Sequence, residues 1–452
     1  MAKKEINMCE GPLTGNIIRY TVPIILTGVL QLLFNAADLI VVGQYCGSVC
    51  VAAVGATGSV INLLVNLFIG FSAGVSVGVA NGIGAGDGEA VHKTVHTGML
   101  FAFICGIVLT FAGLTAGTGI LKMMGPPEEI VDLSGLYLKI YFCGMIPSLL
   151  YNFGAAILRA AGDTKSPLIF LTVAGIVNII LNILFVTVFK MTVDGVATAT
   201  VISQTVSCVL VIGALMKRND SCRLYLSKLR LHIIQLRRIV AIGFPAGIQG
   251  CLFSISNIII QSSVNSFGAV AVAGNSATQN IEGFLYIAMN AFHQTALNFT
   301  GQNVGAGKFD RLSKILKTNI ICMVVMSVTV SILGTIFAKP LISLYITDSP
   351  GAVEVGINRL MFIFLPYFIC GIMDVLTGTI RGMGESLIPM IISVFFVCIF
   401  RIIWIFTLFQ AETFHTLSWL YASYPVSWTL CIAAQLIAYR IILKKLRRSY
   451  GI

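Results

Sequence analysis

The chain has 452 residues, of which 57% are apolar and only 10% charged, with a formal net charge of +11. A soluble domain carries about 45–50% apolar and about 25% charged residues, so this composition cannot be wrapped in a polar surface and describes an integral membrane protein. It leaves no room for a large water-soluble catalytic domain, and the spread of basic residues along loops reads as membrane topology and sets nucleic acid aside as a partner.

Apolar stretches of about 20 residues or more, the length a helix needs to cross roughly 30 Å of hydrocarbon, occur twelve times: at 16–43, 49–80, 94–119, 132–158, 167–190, 194–216, 238–266, 271–302, 316–338, 354–380, 387–409 and 417–443. None shows the alternation of a membrane-barrel strand, so the predicted class is an all-α polytopic membrane protein with twelve transmembrane helices. The basic arm at Lys3 and Lys4, the even-numbered loops and the C-terminus together hold 23 of the 29 Lys and Arg. By the positive-inside rule these face the cytoplasm, which places both termini there and the protein, multi-pass, in the plasma (inner) membrane.

An ionisable group at mid-membrane costs roughly 2.5–3.5 kcal/mol, so each one needs a partner or a purpose. In the first span Gln31, Asn35 and Asp38 are four and three residues apart and share one helical stripe. The length of that span, with Asp38 inside it, marks a retained helix and not a cleaved signal. In the loop that follows, Cys46 and Cys50 are the only cysteines placed for a disulfide, and most of the others are packing residues within spans. The fifth span pairs Asn178 with Asn182, and the sixth pairs Thr200 with Gln204, each four apart. The eighth is the most polar: Asn275, Gln279, Glu282, Tyr286 and Asn290 recur at three and four, followed by His293 and Gln294. The tenth holds Asp374. The eleventh holds Arg401, placed either to snorkel outward or, as preferred here, to pair internally with Glu282 or Asp374.

Sliding the chain on itself by 221 to 222 residues brings matching segments together, the mark of a duplicated six-span unit. Pro23 falls on Pro245, Gly47 on Gly268, and residues 81–86 on 302–307. The run from Arg159 to Pro167 falls on that from Arg381 to Pro389, and Asn152 falls on Asp374. The predicted organisation is a six-helix lobe over 1–216, a basic cytoplasmic linker over 217–237 and a second lobe over 238–452. Six is even, so both lobes enter the membrane the same way, related by a pseudo-twofold axis along its normal, and a cavity between them is expected.

This duplication and its motifs resemble the multidrug and toxic compound extrusion (MATE) family of secondary transporters. The resemblance rests on the first-span run from Pro23 to Gly43 with Phe34, Asn35 and Asp38, the run Gly301 to Ala306, and the paired Arg-x-x-Gly-[Asp/Glu]-x-x-x-Pro runs at Arg159 and Arg381. It implies cation-coupled export of organic substrates by rocking of two lobes, with Pro23 and Pro245 as hinges. In the branch with an aspartate in the first helix it also implies an ion site of Asp38, Asn178, Asn182 and Thr200. The chain departs from that pattern at Asn182, where the family has Asp, which leaves the choice between H⁺ and Na⁺ open. Another branch has an acid near Ile255 in the seventh helix; none is present. The bland alternative for the asparagines is interhelical hydrogen bonding at about 0.6 kcal/mol apiece.

The cargo expected is a small organic, cationic compound, met by a second-lobe polar site or cavity lined by Gln31, Asn35, Asn152, Gln279, Glu282, Tyr286, Asp374 and Arg401. Phe34, Tyr151, Phe153, Phe284, Met289 and Phe292 are aromatic or thioether candidates for the same surface. The competing reading is a flippase or exporter of lipid-linked saccharide or peptide, which would want a more cationic interior. No cofactor is implied beyond transported H⁺ or Na⁺, and no resident metal beyond Na⁺ at Asp38. The glycine run 82–88 follows a membrane helix, so it is not a phosphate loop, and His92 with His96 lacks a shell for zinc. With His293 the single deep histidine, an enzyme is not expected. One chain supplies both lobes, so a monomer is the default.

Overall fold

The computed structural model describes residues 5–123, 128–346 and 349–450. Lys3 and Lys4 of the basic arm lie outside the described residues. In order the helices are α1 (Leu13–Tyr45), α2 (Ser48–Ala85), α3 (Gly88–Met123), α4 (Glu128–Cys143), α5 (Met145–Ala160), α6 (Lys165–Thr187), α7 (Val193–Met216), α8 (Ile233–Asn265), α9 (Ala269–Gly305), α10 (Phe309–Ile336), α11 (Ala338–Ser343), α12 (Pro350–Arg359), α13 (Tyr367–Gly382), α14 (Leu387–Ser393), α15 (Phe400–Phe406) and α16 (Leu417–Ser449). No strand occurs among the described residues.

Nine helices among the described residues are long and apolar enough to cross a membrane, or eleven if each of two bent pairs counts as one crossing. The twelfth, α9, has the length but carries the polar side chains noted above, which lower its hydropathy. The fourth and tenth spans are not straight. α4 and α5 meet at Gly144 with a bend of 50°, and α12, extended by a π-helical turn over Leu360–Phe364, meets α13 with a bend of 41° before Tyr367. Gly144 and Pro366 coincide under the repeat shift, so the duplicated unit carries its break at one place. The same shift pairs glycines held at positive φ, where a Cβ is disfavoured: Gly47 with Gly268 at helix starts, Gly86 with Gly307 at helix ends, and Gly162 with Gly384 inside the two arginine motifs. The glycine run is thus a helix end, with Gly86 closing α2 through bonds to the Gly82 and Ile83 carbonyls.

Helix surfaces are inside-out relative to a soluble protein. On α6 the exposed positions include Ile169, Ile176, Ile180 and Ile183 and the buried ones include Asn178 and Asn182; on α10 Ile321, Val325 and Ile336 face out while Asn319, Ser327 and Ser331 are buried. That arrangement fits apolar lipid outside and hydrogen-bonded polar groups within.

By packing, the chain forms two compact units, one from 5–7 with Val22–Ile248 and the other from Met8–Thr21 with Gln249–Ile452. The divisions fall inside α1 and α8, close to Pro23 and Pro245. In the first unit Phe71, Val75 and Val79 of α2 pack with Val95 and Met99 of α3, Phe153 and Ile157 of α5, and Val211 of α7. There α2 also meets the first half of α8 backbone to backbone. A Cβ on Gly74 would lie 2.2 Å from the Ile239 carbonyl oxygen, and one on Gly247 2.4 Å from that of Leu67. In the second unit the core gathers Leu285 and Met289 of α9, Phe364, Tyr367 and Met373 around the second bend, and Tyr421 and Trp428 of α16. Phe153, Met289 and Phe292, sequence candidates for a cargo surface, are core residues in these two units. Cys46 and Cys50, the pair placed for a disulfide, are both unbridged thiols.

Candidate functional site

The first cluster lies in the first unit, where α1 meets α6. Phe34 seats its ring on Gly175, and Asp38, one turn further along α1, meets Asn182, two turns further along α6. The Asn182 amide donates to Asp38 Oδ1 and, at 3.3 Å, to Asn178 Oδ1. Asn182 is fully buried and Asn178 nearly so, at 0% and 4% exposure. With its amide nitrogen committed to the carboxylate, the Asn182 Oδ1 is left buried with no hydrogen-bond partner among the described residues. A buried carbonyl oxygen without a donor is costly, and beside a carboxylate it is what a cation can satisfy. Tyr137 and Tyr141 of α4 lie within electrostatic range of the Asp38 carboxylate. They were missed in the sequence, although their spacing of four inside a span was a readable signal.

Of the other expected first-unit residues, Thr200 turns its hydroxyl onto its own helix and donates to the Val196 carbonyl at 2.9 Å. Asn152 likewise bonds back to Ser148 at 2.9 Å. Gln31 and Asn35 are exposed, and among the described residues neither is hydrogen-bonded to Asp38. The structure therefore joins Asp38, Asn178 and Asn182, and leaves the rest of the stripe open.

In the second unit Glu282 does have an arginine, but it is Arg359 of α12. Its Nε and Nη2 meet the two carboxylate oxygens at 2.9 and 2.7 Å, and Nη1 donates to Asn275 Oδ1 at 2.6 Å. Tyr421 adds a bond to the same Asn275 oxygen at 3.2 Å. This corrects the expected pairing of Arg401. Arg401 is 3% exposed, so it does not snorkel, and among the described residues no carboxylate lies within salt-bridge distance of it. Its Nε donates to Ser427 at 2.8 Å, and its guanidinium lies 4.0 Å from the Tyr424 ring centroid and 5.6 Å from that of Trp428. Its Nη2 is buried with no hydrogen-bond partner among the described residues. Arg359 escaped the sequence reading because it sits near the start of its span, where an arginine passes as an interfacial anchor.

Asp374 lies on α13, its backbone oxygen accepting from His293 Nδ1 at 2.8 Å. Arg381, two turns further along the same face of α13, donates to Gln249 at 2.8 Å and lies 3.4 Å from His293 Nε2. Tyr286 is within electrostatic range of both Asp374 and Arg381 and is 47% exposed. Gln279 is apart from this group, reaching Gln261 at 3.4 Å. The interior was expected to hold three acids against Arg401 alone; with Arg359 and Arg381 also buried, acids and arginines balance, and in the second unit the arginines outnumber Glu282 and Asp374.

The sequence profile described as MatE matches the chain twice, over residues 23–184 and 245–407, so both matches begin at the paired prolines. The chain is 28% identical over 386 residues to the "Probable multidrug resistance protein YoeA" of Bacillus subtilis (strain 168), across 83% of this chain and 82% of that protein. It is 27% identical over 390 residues to the "Probable multidrug resistance protein NorM" of Thermotoga maritima, with 83% and 82% covered. Among solved structures, a MOP-superfamily transporter from Pyrococcus furiosus superposes with a TM-score of 0.91 over 99% of each chain at 21% identity, a likeness of fold.

Proposed function

The chain belongs to the MatE family of multidrug efflux transporters, so it is a membrane transporter and not an enzyme, and on that premise we propose that it exports small organic compounds in exchange for H⁺ or Na⁺ bound at Asp38. The observation that carries the reading is the buried Asn182 Oδ1, without a partner and next to a carboxylate. A proton on Asp38 or a Na⁺ between Asp38, Asn182 and Asn178 answers both groups, and cargo drives the ion off as the site opens to each side in turn. A neutral amide at 182 in place of a second carboxylate makes the ion site less negative than the family pattern, which favours the proton over Na⁺. The protein acts as a monomer in the cell membrane, with both termini cytoplasmic and Pro23 and Pro245 as hinges.

The cargo in this reading is cationic. Asp374, which has no basic group within salt-bridge distance among the described residues, lies within electrostatic range of the exposed Tyr286, and an aromatic ring near a carboxylate suits an organic cation. A second reading, export or flipping of an amphipathic compound bearing phosphate or carboxylate, is favoured by one feature: the unpartnered nitrogens Arg401 Nη2 and Arg381 Nε. Reconstituted vesicles given pH and Na⁺ gradients separately, with a cationic and an anionic dye in turn, test both. Loss of gradient-driven efflux in Asp38→Asn, at unchanged protein level, supports the ion assignment, and gradient-driven efflux of the anionic dye alone replaces the first cargo reading with the second.

A further inference from the structure

A pocket of 440 Å³ opens in the first unit between the start of α3 and the segment that precedes α8, lined by Glu89, His92, Lys93, His96, Lys228 and Arg230 together with Ser227, Leu229 and His232. None of its lining residues belongs to the ion cluster, and nothing in the transport reading uses it.

Its wall is fixed by neutral hydrogen bonds. His96 is 1% exposed; its Nδ1 is 2.8 Å from the His92 carbonyl, and its Nε2 accepts the Tyr225 backbone N–H at 3.0 Å. An acceptor at Nε2 makes Nδ1 the protonated nitrogen, so the ring is neutral and both nitrogens are engaged. Thr97 Oγ1 accepts from the His232 backbone at 3.1 Å and donates to the Arg230 carbonyl at 3.3 Å. The segment carrying Lys228 and Arg230 is therefore held in place against α3 by its backbone, while their charged heads are exposed. Because His96 has no free nitrogen, the three histidines do not make a chelating site, and no group of three metal-ligating side chains occurs among the described residues.

The charges on this wall are not balanced. Glu89 is committed to Lys93, four residues away. Among the described residues neither Lys228 nor Arg230 has a carboxylate within salt-bridge distance, and Arg223 and Lys228 both stand 4.9 Å from the Tyr225 ring centroid. Two histidines register the resulting potential. Burial and then the positive charge of Lys228 hold His92 below the usual imidazole range, and burial and then Lys93 and Arg230 do the same to His232. Cations that raise each other's energy around an open concavity are a site for a multivalent anion.

We propose that this pocket binds a phosphate-bearing ligand, a phosphate monoester or diphosphate, held by Lys228 and Arg230 with Ser227, His92 and His232 as further donors. A carboxylate would answer one charge, whereas a phosphate or diphosphate presents several acceptor oxygens and two or more charges to donors of this kind. The volume leaves space for an organic group beyond the phosphate. The pocket lies at the N-terminal end of α3, so the phosphate comes either from a soluble metabolite or from a phospholipid headgroup.

The test is titration of the full-length protein in neutral detergent with inorganic pyrophosphate at constant ionic strength, followed by calorimetry in two buffers of different ionisation enthalpy. The expected result is saturable binding with net proton uptake near neutral pH, because the anion raises the depressed imidazoles. Lys228→Gln/Arg230→Gln weakens binding at least about tenfold, while the charge-matched Lys444→Gln/Lys445→Gln leaves it within about twofold. No saturable binding, or equal weakening by both double variants, overturns the proposal. Repeating the titration in phosphatidylcholine nanodiscs with and without phosphatidylglycerol assigns the source: competition by the anionic lipid identifies a headgroup site, and unchanged affinity identifies a soluble ligand.

Discussion

Gly175 and Phe34 occupy one space: a Cβ on Gly175 would lie 1.9 Å from the Phe34 ring. Because Asp38 is four residues beyond Phe34 on α1, and Asn178 and Asn182 are three and seven beyond Gly175 on α6, this contact sets the separation of the groups proposed to bind the coupling ion. Gly175→Ala forces the helices apart or the ring off its rotamer, at about 1–3 kcal/mol. Gradient-driven efflux falls sharply in this variant, and Phe34→Leu on the same background restores a large part of it, as measured in vesicles at matched protein level. Equal activity of Gly175→Ala and wild type would separate the ion site from this packing.

Asn182→Asp restores the second carboxylate of the family pattern next to Asp38. Two carboxylates at hydrogen-bond distance hold a Na⁺ better than one, and repel each other without it. Efflux in the variant shifts toward dependence on a Na⁺ gradient, whereas Asn182→Leu loses coupling to either ion. Separate Na⁺ and pH gradients read out both changes.

Glu282 and Arg359 are buried partners, so removing either leaves an uncompensated charge. Glu282→Gln and Arg359→Met are each expected to destabilise the protein by about 3–5 kcal/mol, and Glu282→Met/Arg359→Leu by less than the sum of its parts. Thermal unfolding in detergent measures this. Arg401→Gln, which breaks no carboxylate pair, lowers the melting temperature less than Arg359→Met.

Outside the membrane, Asp220 and Glu5 tie down Arg218 at the end of α7. Burial opposes the Asp220 charge, but the Arg218 hydrogen bonds and positive charge outweigh it and hold this carboxyl below its usual value. A depressed carboxyl contributes stability that is full above the unfolded pKa of about 3.9 and is lost as pH falls through the folded one. The difference in melting temperature between wild type and Asp220→Asn is therefore constant from neutral pH to about pH 5 and closes below about pH 4.

The twelve spans were legible because lipid demands long apolar helices, and the repeat was legible in Gly47 with Gly268 and Gly162 with Gly384, whose backbone conformations only glycine adopts readily. The bends at Gly144 and before Tyr367 were not, since a continuous apolar run looks the same straight or broken. Asp38 with Asn178 and Asn182 followed from spacing and resemblance together. The partner of Glu282 did not: Arg359, 77 residues away, is a long-range contact, and no periodicity on α9 reports which arginine closes upon it. The Asn182 oxygen without a donor is likewise a property of geometry that composition does not encode.

The most direct test loads vesicles with dye and follows the counter-flow of cations as dye leaves down its own gradient, with pH- and Na⁺-sensitive reporters inside. Coupling at Asp38 predicts that wild type takes up H⁺ or Na⁺ as dye exits and that Asp38→Asn passes dye, if at all, without either ion. Cation uptake persisting in Asp38→Asn at the wild-type ratio would contradict the account.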